Sequence, residues 1–349
     1  MAAHRSTRAR VDALHSSLGP GPWSRDELLA TGWSPGRIAR AVEHGLLVRE
    51  RRGVYAAAPD SGRQLVLGDD LHAARLRATA RRLAPSAAFS HTSAARLLGL
   101  WTPDVHDDRI HVTIPGQAER EDAGLRVHAS ALPASSVVVV DGVRVTDVAR
   151  TAVDLARPGD LPHALVAVDG ALRELLRPAY PDLDRELRGR RVPSAAIEQA
   201  RARLAAVVEP MVGWPGVRTA RAAVEAADPA SASPFESWSR GWILAVRMPV
   251  PELNLPIVGA SGAPYVGDFV WEERRVVGEA DGVAKYGSTS AQIRAAMRAE
   301  RARQADLEAA GWRVVRWVAG ETGATIIARL GRALYLQPAV AARRLRRPA

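Results

Sequence analysis

Residues 267–287 read GDFVWEERRVVGEADGVAKYG. Two strand-like apolar runs flank a charged turn near Glu273, and this pattern predicts a β-hairpin. Pairing across the turn puts Asp268 opposite Glu279 or the residue before it. Glu279 and Asp281, two residues apart on one strand, share a face. The hairpin is therefore expected to bring three carboxylates together.

Three neighbouring carboxylates repel one another and raise one another's pKa values unless a cation lies between them. The chain has no cysteine and no histidine after His163, so the available ligands near the hairpin are oxygens, which suit magnesium or manganese. We therefore expect Asp268 and Glu279 to bind Mg²⁺ or Mn²⁺, with Asp281 beside them. Such an ion activates water towards a phosphodiester, and Lys285, the only lysine, would position that water or stabilise the transition state.

The hairpin lies within a longer run of alternating elements. Ser233 is a typical N-cap, Pro234 a typical first helical residue, and Glu236 and Arg240 fall four apart on one face of the helix that follows. Three strand-like runs come next (PELNLPIV, YVGDFVW and RRVVGEADG), then the helical run SAQIRAAMRAERARQADLEAAG and the strand WRVVRWV. The order helix, three strands, helix, strand predicts an α/β domain.

The whole chain has 349 residues and a mass of 37.4 kDa, which favours two or three domains. Apolar residues make up 47% and charged residues 25%, the ordinary globular range. No run approaches the ~18 apolar residues needed to cross a bilayer, so a cytoplasmic protein is expected. The net charge of +10 favours a polyanionic partner such as DNA; the alternative is an arginine excess that reflects a GC-rich genome.

The first 60 residues predict a small helix-turn-helix with a wing. Ser24 with Glu27 fits a capping box that opens one helix, and Ser34 followed by Pro35 opens a second. The run GLLVRERRGVYAA then predicts two strands joined by a charged turn. A recognition helix and wing of this kind bind DNA, although the same elements also occur as packing units only. The residues expected to contact DNA are Arg37, Arg40, Arg51 and Arg52.

Changes in composition divide the chain into segments and predict a multidomain α/β architecture. The expected segments are a winged helix-turn-helix (1–60), a small α+β middle domain (61–160), a helical connector broken by prolines (161–230), a C-terminal α/β domain (231–340) and a basic tail (341–349).

Three histidines of the middle segment are candidate metal ligands, His91, His111 and His128. Three imidazole side chains are one candidate set of ligands for a metal ion. Isolated histidines in strands and at helix starts are nevertheless typical of hydrogen-bonded structural residues, and we interpret them in that way. Thr146 is expected to cap the helix that follows the strand VRVT.

Two family resemblances add to this reading. The wing ending in RRGVYAAAP, followed by SHTSAARLLGL, HVTIP and VTDVARTAVDLA, resembles the AbiEi-type antitoxins over roughly residues 10–160. That resemblance implies a winged-helix N-terminus that regulates transcription of its own operon.

The runs SPFESWSR, VGDF, VVGEADGVAKYG and RAERARQADLEAAGWRVVRW resemble the very-short-patch-repair branch of the PD-(D/E)xK nucleases. The resemblance implies a restriction-endonuclease-like fold in which Asp268 and Glu279 bind the metal and Glu236 assists. This sequence departs from the pattern at two places. Asp281 replaces the lysine expected after the second acid, and Lys285 replaces a histidine often found after the DG pair.

Two hypotheses follow from the sequence. The first is a DNA-associated protein whose C-terminal domain is a magnesium-dependent endonuclease. The alternative is a non-enzymatic antitoxin and transcriptional regulator with an inactive nuclease-like domain. Under both hypotheses DNA is the expected partner, a cognate toxin protein is a candidate partner, and a homodimer is the form common among winged-helix regulators.

Overall fold

A computed structural model describes most of the chain. The described residues are 13–14, 23–44, 46–51, 53–57, 75–76, 79–80, 83–103, 107–122, 124–282 and 290–335. They fall into two compact units, one within Met1–Gly99 and Val105–Thr151 and the other within Leu100–Asp104 and Ala152–Ala349. Lys285, Arg52 and the expected basic tail lie outside the described residues.

The N-terminal part of the first unit contains two short helices and a small sheet. Its elements are β1 (Trp23–Ser24), α1 (Arg25–Ala30), α2 (Pro35–Glu43), β2 (Leu47–Arg51) and β3 (Val54–Ala57). The three strands pair in the order β1-β3-β2, and both pairings are antiparallel. Helix, turn, helix and hairpin therefore follow one another as the sequence predicts.

Local capping signals fix the two helices. Ser24 and Glu27 form the predicted capping box, since each side chain accepts a hydrogen bond from the other's backbone N–H, at 3.1 and 2.7 Å. Ser34 caps α2, with Pro35 in the first turn. Both helices pack on a buried apolar cluster that includes Trp23, a residue 1% exposed.

A six-stranded sheet forms the rest of the first unit. Its elements are β4 (Ala88–Phe89), α3 (His91–Leu98), β5 (Ile110–Thr113), β6 (Arg120–Asp122), β7 (Leu125–His128), β8 (Val137–Val140) and β9 (Val143–Thr146). The strand order is β6-β7-β5-β4-β9-β8. The β5–β7 and β4–β9 pairings are parallel, and the others are antiparallel. This order places three strands that are distant in sequence side by side at the middle of the sheet.

The helix after β9 is not capped by Thr146 as expected. The Asp147 side chain accepts the N–H of Arg150 at 2.7 Å, so Asp147 caps the helix α4 (Val148–Ala156). The Thr146 hydroxyl instead hydrogen-bonds the hydroxyl of Thr151 at 2.7 Å. Thr146 is still paired with Val137 as the last residue of β9, so its side chain lies one residue too early to cap.

Four helices fill the segment expected to be a connector. They are α5 (Leu161–Leu176), α6 (Leu183–Arg188), α7 (Ser194–Val208) and α8 (Val217–Ala226). This segment belongs to the same compact unit as the C-terminal sheet. The helical segment therefore packs against the C-terminal elements as well as linking them to the chain before it.

A buried ion pair joins α5 to the first C-terminal helix, α9 (Pro234–Ala245). Asp169 and Arg240 are 0% and 5% exposed, and Nη2 of Arg240 donates to both carboxylate oxygens at 2.7 and 2.8 Å. Burial raises the pKa of Asp169, and Arg240 opposes that shift. The helices also approach closely, because a Cβ on Gly241 would lie 2.3 Å from Cα of Pro162.

The C-terminal elements follow the predicted order of helix, three strands, helix, strand. After α9 come β10 (Glu252–Val258), β11 (Pro264–Trp271), β12 (Val276–Asp281), α10 (Ser290–Ala309), β13 (Arg313–Val318) and α11 (Gly323–Tyr335). The sheet order is β10-β11-β12-β13, with β12 and β13 parallel and the other pairs antiparallel. The turn between β11 and β12 is a 3₁₀ helix at Glu272–Arg274, where the sequence places it.

Helices cover both faces of this sheet. On one face, buried residues of β11–β13 such as Phe269 and Trp317 pack with Ile243 of α9 and with α11. On the other face, Val277 packs with Leu307 of α10. Because side chains alternate along a strand, Glu279 lies on the α10 face with Val277. None of the helices among the described residues is long and apolar enough to cross a membrane.

Candidate functional site

Two predicted site residues meet on neighbouring strands. The β11–β12 ladder pairs Trp271 with Val276 and continues to Phe269 with Gly278, so the next residues along the two strands are Asp268 and Glu279. Oδ2 of Asp268 accepts the N–H of Ala280 at 2.8 Å, which fixes that carboxylate against β12. The negative charge of Asp268 contributes to raising the pKa of Glu279, a residue that is 2% exposed. The predicted convergence of these two acids is thus present in the structure.

Arg303 of α10 supplies a cation directly to Glu279. Its Nη2 donates to Oε1 of Glu279 at 2.8 Å, and its Nη1 donates to Oε2 at 3.2 Å. The same guanidinium donates to the carbonyl of Val266 at 2.6 Å. Burial of Glu279, with a smaller contribution from Asp268, raises the pKa of Glu279 to about 7, and Arg303 opposes that shift. Glu279 is therefore an acid that protonates near neutral pH.

A second arginine lies beside the third predicted acid. Nη1 of Arg316, on β13, is 3.7 Å from Oδ2 of Asp281, and Arg316 also pairs with Glu300 of α10. Glu300 in turn is 3.7 Å from Nη1 of Arg303. Carboxylates and guanidinium groups thus alternate across the α10 face of the sheet.

This network changes the electrostatic argument made from the sequence. The expected cation between the acids is provided here by two arginines, which sequence reasoning did not select. Metal binding stays a prediction, and the donor set fits it. Asp268 and Glu279 offer hard oxygen ligands from adjacent strands, with Asp281 on the same face of β12, as magnesium or manganese requires.

Glu236 is held at the start of α9. Its carboxylate accepts the N–H of Ala232 at 2.8 Å, the hydroxyl of Ser233 at 3.0 Å and the side-chain amide of Asn254 at 2.9 Å. These contacts make Glu236 a helix-capping residue that also ties β10 to α9. Its expected assistance to a metal stays a prediction.

The predicted DNA-contacting arginines are partly described. On α2, Nη1 of Arg37 donates weakly to the carbonyl of Gly32 at 3.4 Å, and Nε of Arg40 donates to the carbonyl of Gly36 at 3.3 Å. Arg37 is half-buried and Arg40 exposed. The backbone of Arg51 pairs at the end of β2, but its side chain and all of Arg52 lie outside the described residues.

The structure also joins three histidines that the sequence interpretation treated separately. His91, His111 and His128 form one cluster in which a ring nitrogen from each residue lies within 4.8 Å of the others. Desolvation by burial lowers the pKa of His111, and the neighbouring Asp107 opposes that shift. A short-range sequence pattern does not reveal this cluster, because its members come from three different strands or strand ends.

The chain is thus a multidomain α/β protein with an N-terminal helix-turn-helix and hairpin. A family described as "Transcriptional regulator, AbiEi antitoxin" matches residues 10–58, and one described as "AbiEi antitoxin C-terminal domain" matches residues 86–207. The second match extends past the expected boundary at residue 160 into the helices α5–α7, and both matches end before the C-terminal sheet.

Two mycobacterial relatives match a larger part of the chain. The uncharacterized proteins MT2308 and Rv2248, from two strains of Mycobacterium tuberculosis, are each 30% identical over 275 residues, covering 78% of this chain and 86% of theirs. The crystal structure of the RV2827C protein from the same species aligns with a TM-score of 0.36 and 20% identity, over 62% of this chain and 80% of that one. The chain belongs to the AbiEi antitoxin family.

Proposed function

We propose that the chain is a DNA-binding antitoxin that regulates transcription through its N-terminal helix-turn-helix. The observation that carries this proposal is the pair of arginines on α2, Arg37 and Arg40, whose guanidinium groups make long hydrogen bonds of 3.4 and 3.3 Å to nearby carbonyls. Ile38 and Ala41 of the same helix are buried in the core. Such a helix enters the major groove while arginines on the wing contact phosphates.

The hairpin sequence carries further arginines. Arg49 on β2 is exposed, and Arg51 and Arg52 follow it at the predicted turn. Phosphate contacts of this kind supply affinity and position the protein, and contacts to base edges from α2 supply sequence preference. The antitoxin family and the net charge of +10 both support this role.

A binding experiment with duplex DNA tests the proposal. The full-length chain is titrated with a duplex from the region upstream of its own gene and with a scrambled duplex, over a range of salt concentrations. Changing Arg37 and Arg40 together to Ala should weaken specific binding about tenfold or more for each base-contacting arginine. Arg218→Ala, an exposed arginine on α8, is the matched control. If the wild type, the double variant and Arg218→Ala bind the duplex equally, α2 is not the DNA-binding helix.

A second candidate function belongs to the C-terminal domain, and the juxtaposed Asp268 and Glu279 favour it. We propose that these two acids hold Mg²⁺ or Mn²⁺ and that the domain hydrolyses phosphodiester bonds. The bound ion would supply an activated water and neutralise charge on the scissile phosphate. Asp268 is preset for this task because the N–H of Ala280 holds its carboxylate.

Arginine and lysine residues have separate parts in this second proposal. Arg303 keeps Glu279 neutralised in the metal-free protein and must give up that contact when Glu279 binds an ion. The guanidinium is then free to bind the DNA phosphate. Asp281 orients Arg316, and Lys285 is proposed to position the attacking water.

Plasmid cleavage tests the second candidate. Purified chain with millimolar Mg²⁺ should nick supercoiled plasmid, and Asp268→Asn or Glu279→Gln should abolish nicking while leaving duplex binding by α2 unchanged. Glu308→Gln, an exposed acid on α10, is the control and should retain full activity. Nicking that persists in both site variants would show that the activity comes from elsewhere. A wild-type chain that never nicks would support the non-enzymatic alternative.

Two partners remain proposals. A cognate toxin protein is the protein partner that the antitoxin family supports. A homodimer would allow two recognition helices to bind two half-sites one DNA turn apart. Sedimentation velocity of the purified chain, alone and after co-expression with the product of an adjacent gene, distinguishes monomer, homodimer and toxin complex.

A further inference from the structure

The histidine cluster lies on one side of the six-stranded sheet. His128 is the last residue of β7, His111 lies within β5, and His91 follows β4 as the first turn of α3 begins. The parallel register pairs Thr113 with His128 and His111 with Arg126, so His111 and His128 project from the same face. The adjacency of β7, β5 and β4 therefore brings together residues that are 20 and 17 positions apart.

The three rings are in close contact. Nδ1 of His111 is 3.0 Å from Nε2 of His128. The rings of His91 and His128 stack with centroids 3.6 Å apart, and those of His91 and His111 are 5.7 Å apart. A zinc ion with Zn–N bonds of about 2.0–2.1 Å holds tetrahedral ligand atoms about 3.3 Å apart, close to the His111–His128 spacing. Rotation of the His91 ring out of its stack on His128 would direct all three rings at one ion.

The carboxylate of Asp107 holds the His111 ring through the ring nitrogen that does not face His128. Nε2 of His111 is 3.0 Å from Oδ2 of Asp107, so a proton on Nε2 is donated to that carboxylate and Nδ1 presents its lone pair to the cluster. Asp107 is itself fixed by Arg109, whose Nε and Nη2 donate to it at 2.7 and 2.6 Å. Carboxylate, histidine and metal in this order is the usual arrangement around a zinc-ligating imidazole.

His91 adds a backbone observation. Its φ is +51°, in the left-handed region that side chains other than glycine rarely adopt. Such a conformation costs on the order of 1–3 kcal/mol and persists where the surroundings impose it. Here it accompanies the sharp turn from β4 into α3 and leaves His91 stacked on His128. His91 and His111 are buried, and the half-buried His128 gives the cluster a route to solvent.

We propose that His91, His111 and His128 bind one zinc-class transition-metal ion, with Asp107 orienting His111 and a solvent molecule completing the coordination. Imidazole nitrogens select zinc, cobalt, nickel or copper over magnesium and calcium, so this site is chemically distinct from the oxygen site at Asp268 and Glu279. The ion would cross-link the β4–α3 turn to β5 and β7. It would thereby stabilise the middle of the sheet.

Metal titration of the full-length chain tests the proposal. The protein is freed of metal with a chelator, and Zn²⁺ alone is added in competition with a chromogenic chelator. One equivalent should bind per chain, and Co²⁺ should give the visible absorption of a tetrahedral nitrogen site. Thermal unfolding of the metal-free protein should shift upward on adding Zn²⁺.

Variants locate the site. His111→Gln and His128→Gln should each lower zinc affinity at least 100-fold, and Asp107→Asn should lower it about 10- to 100-fold. His163→Gln, a histidine on α5 that bonds Asp160, is the matched control, and Asp268→Asn tests the separate oxygen site. Neither control should change zinc affinity.

Two results would overturn the assignment. One is a folded wild-type chain that binds no stoichiometric zinc, an outcome that needs no variant. The other is wild-type affinity in both His111→Gln and His128→Gln.

Discussion

Replacing Arg303 with Met tests how the acids of the C-terminal sheet are balanced. The change removes the cation from Glu279, whose side chain is 3% exposed, and it removes the hydrogen bond to Val266. Breaking a buried ion pair by deleting one partner costs about 3–5 kcal/mol. Because the Arg303 side chain is 21% exposed, solvent screens part of this loss, and we expect about 2–3 kcal/mol at pH 8 without metal.

Hydrogen exchange measured by mass spectrometry reports this loss of stability at the strands that carry the two acids. Peptides covering β11 and β12 in Arg303→Met should lose protection by about 30- to 100-fold in EDTA, since 1.4 kcal/mol corresponds to tenfold. If Asp268 and Glu279 bind Mg²⁺, adding it should restore most of that protection, because about 2.7 kcal/mol is gained at 100 times the dissociation constant. The wild type should gain less, since Arg303 competes with the ion.

A matched variant separates this effect from general destabilisation. Arg329→Met removes a cation from Glu321 on the same domain, in a more exposed pair. Its protection should not depend on Mg²⁺. If Mg²⁺ leaves Arg303→Met as unprotected as EDTA does, the two acids do not bind the ion and the reasoning fails.

Three further predictions concern the same compact unit. Asp169→Ala should lower the free energy of unfolding by about 3–5 kcal/mol, measured by urea denaturation, because it leaves Arg240 buried without its counter-charge. Gly278→Ala should cost about 1–3 kcal/mol in the same assay, because a Cβ there would lie 2.6 Å from the Trp317 ring. The pKa of Glu279 is raised from 4.5 to about 7 in the folded chain. Between these two pH values the folded chain keeps the proton and the unfolded chain releases it. The free energy of unfolding without metal should therefore fall as the pH rises from 4.5 to 7. Glu279→Gln should remove that fall, on the order of 3 kcal/mol, in unfolding curves recorded across this pH range.

Local signals made much of the fold predictable. The capping box at Ser24 and the Ser34–Pro35 start need only three or four neighbouring residues, so the helix-turn-helix could be read directly. The β11–β12 hairpin is equally local, since a short charged turn at Glu272–Arg274 fixes its register. That register is what brings Asp268 to Glu279.

The rest depends on contacts between distant parts of the chain. Arg303 reaches Glu279 across 24 residues because α10 covers that face of the sheet, and arginine is too frequent in this sequence to single out beforehand. The histidine cluster depends on the order β7-β5-β4, and the packing of α5 against α9 depends on the pair of Asp169 with Arg240. Spacing along the sequence encodes none of these neighbours.

The close packing of α5 against α9 has a practical consequence for preparing fragments. A piece beginning at residue 231 would carry Arg240 without Asp169 and would expose the side of α9 where Gly241 touches Pro162. Such a fragment should aggregate on expression, whereas one beginning at Ala152 retains the complementary helix. Experiments on the isolated C-terminal part are therefore best designed around the longer piece.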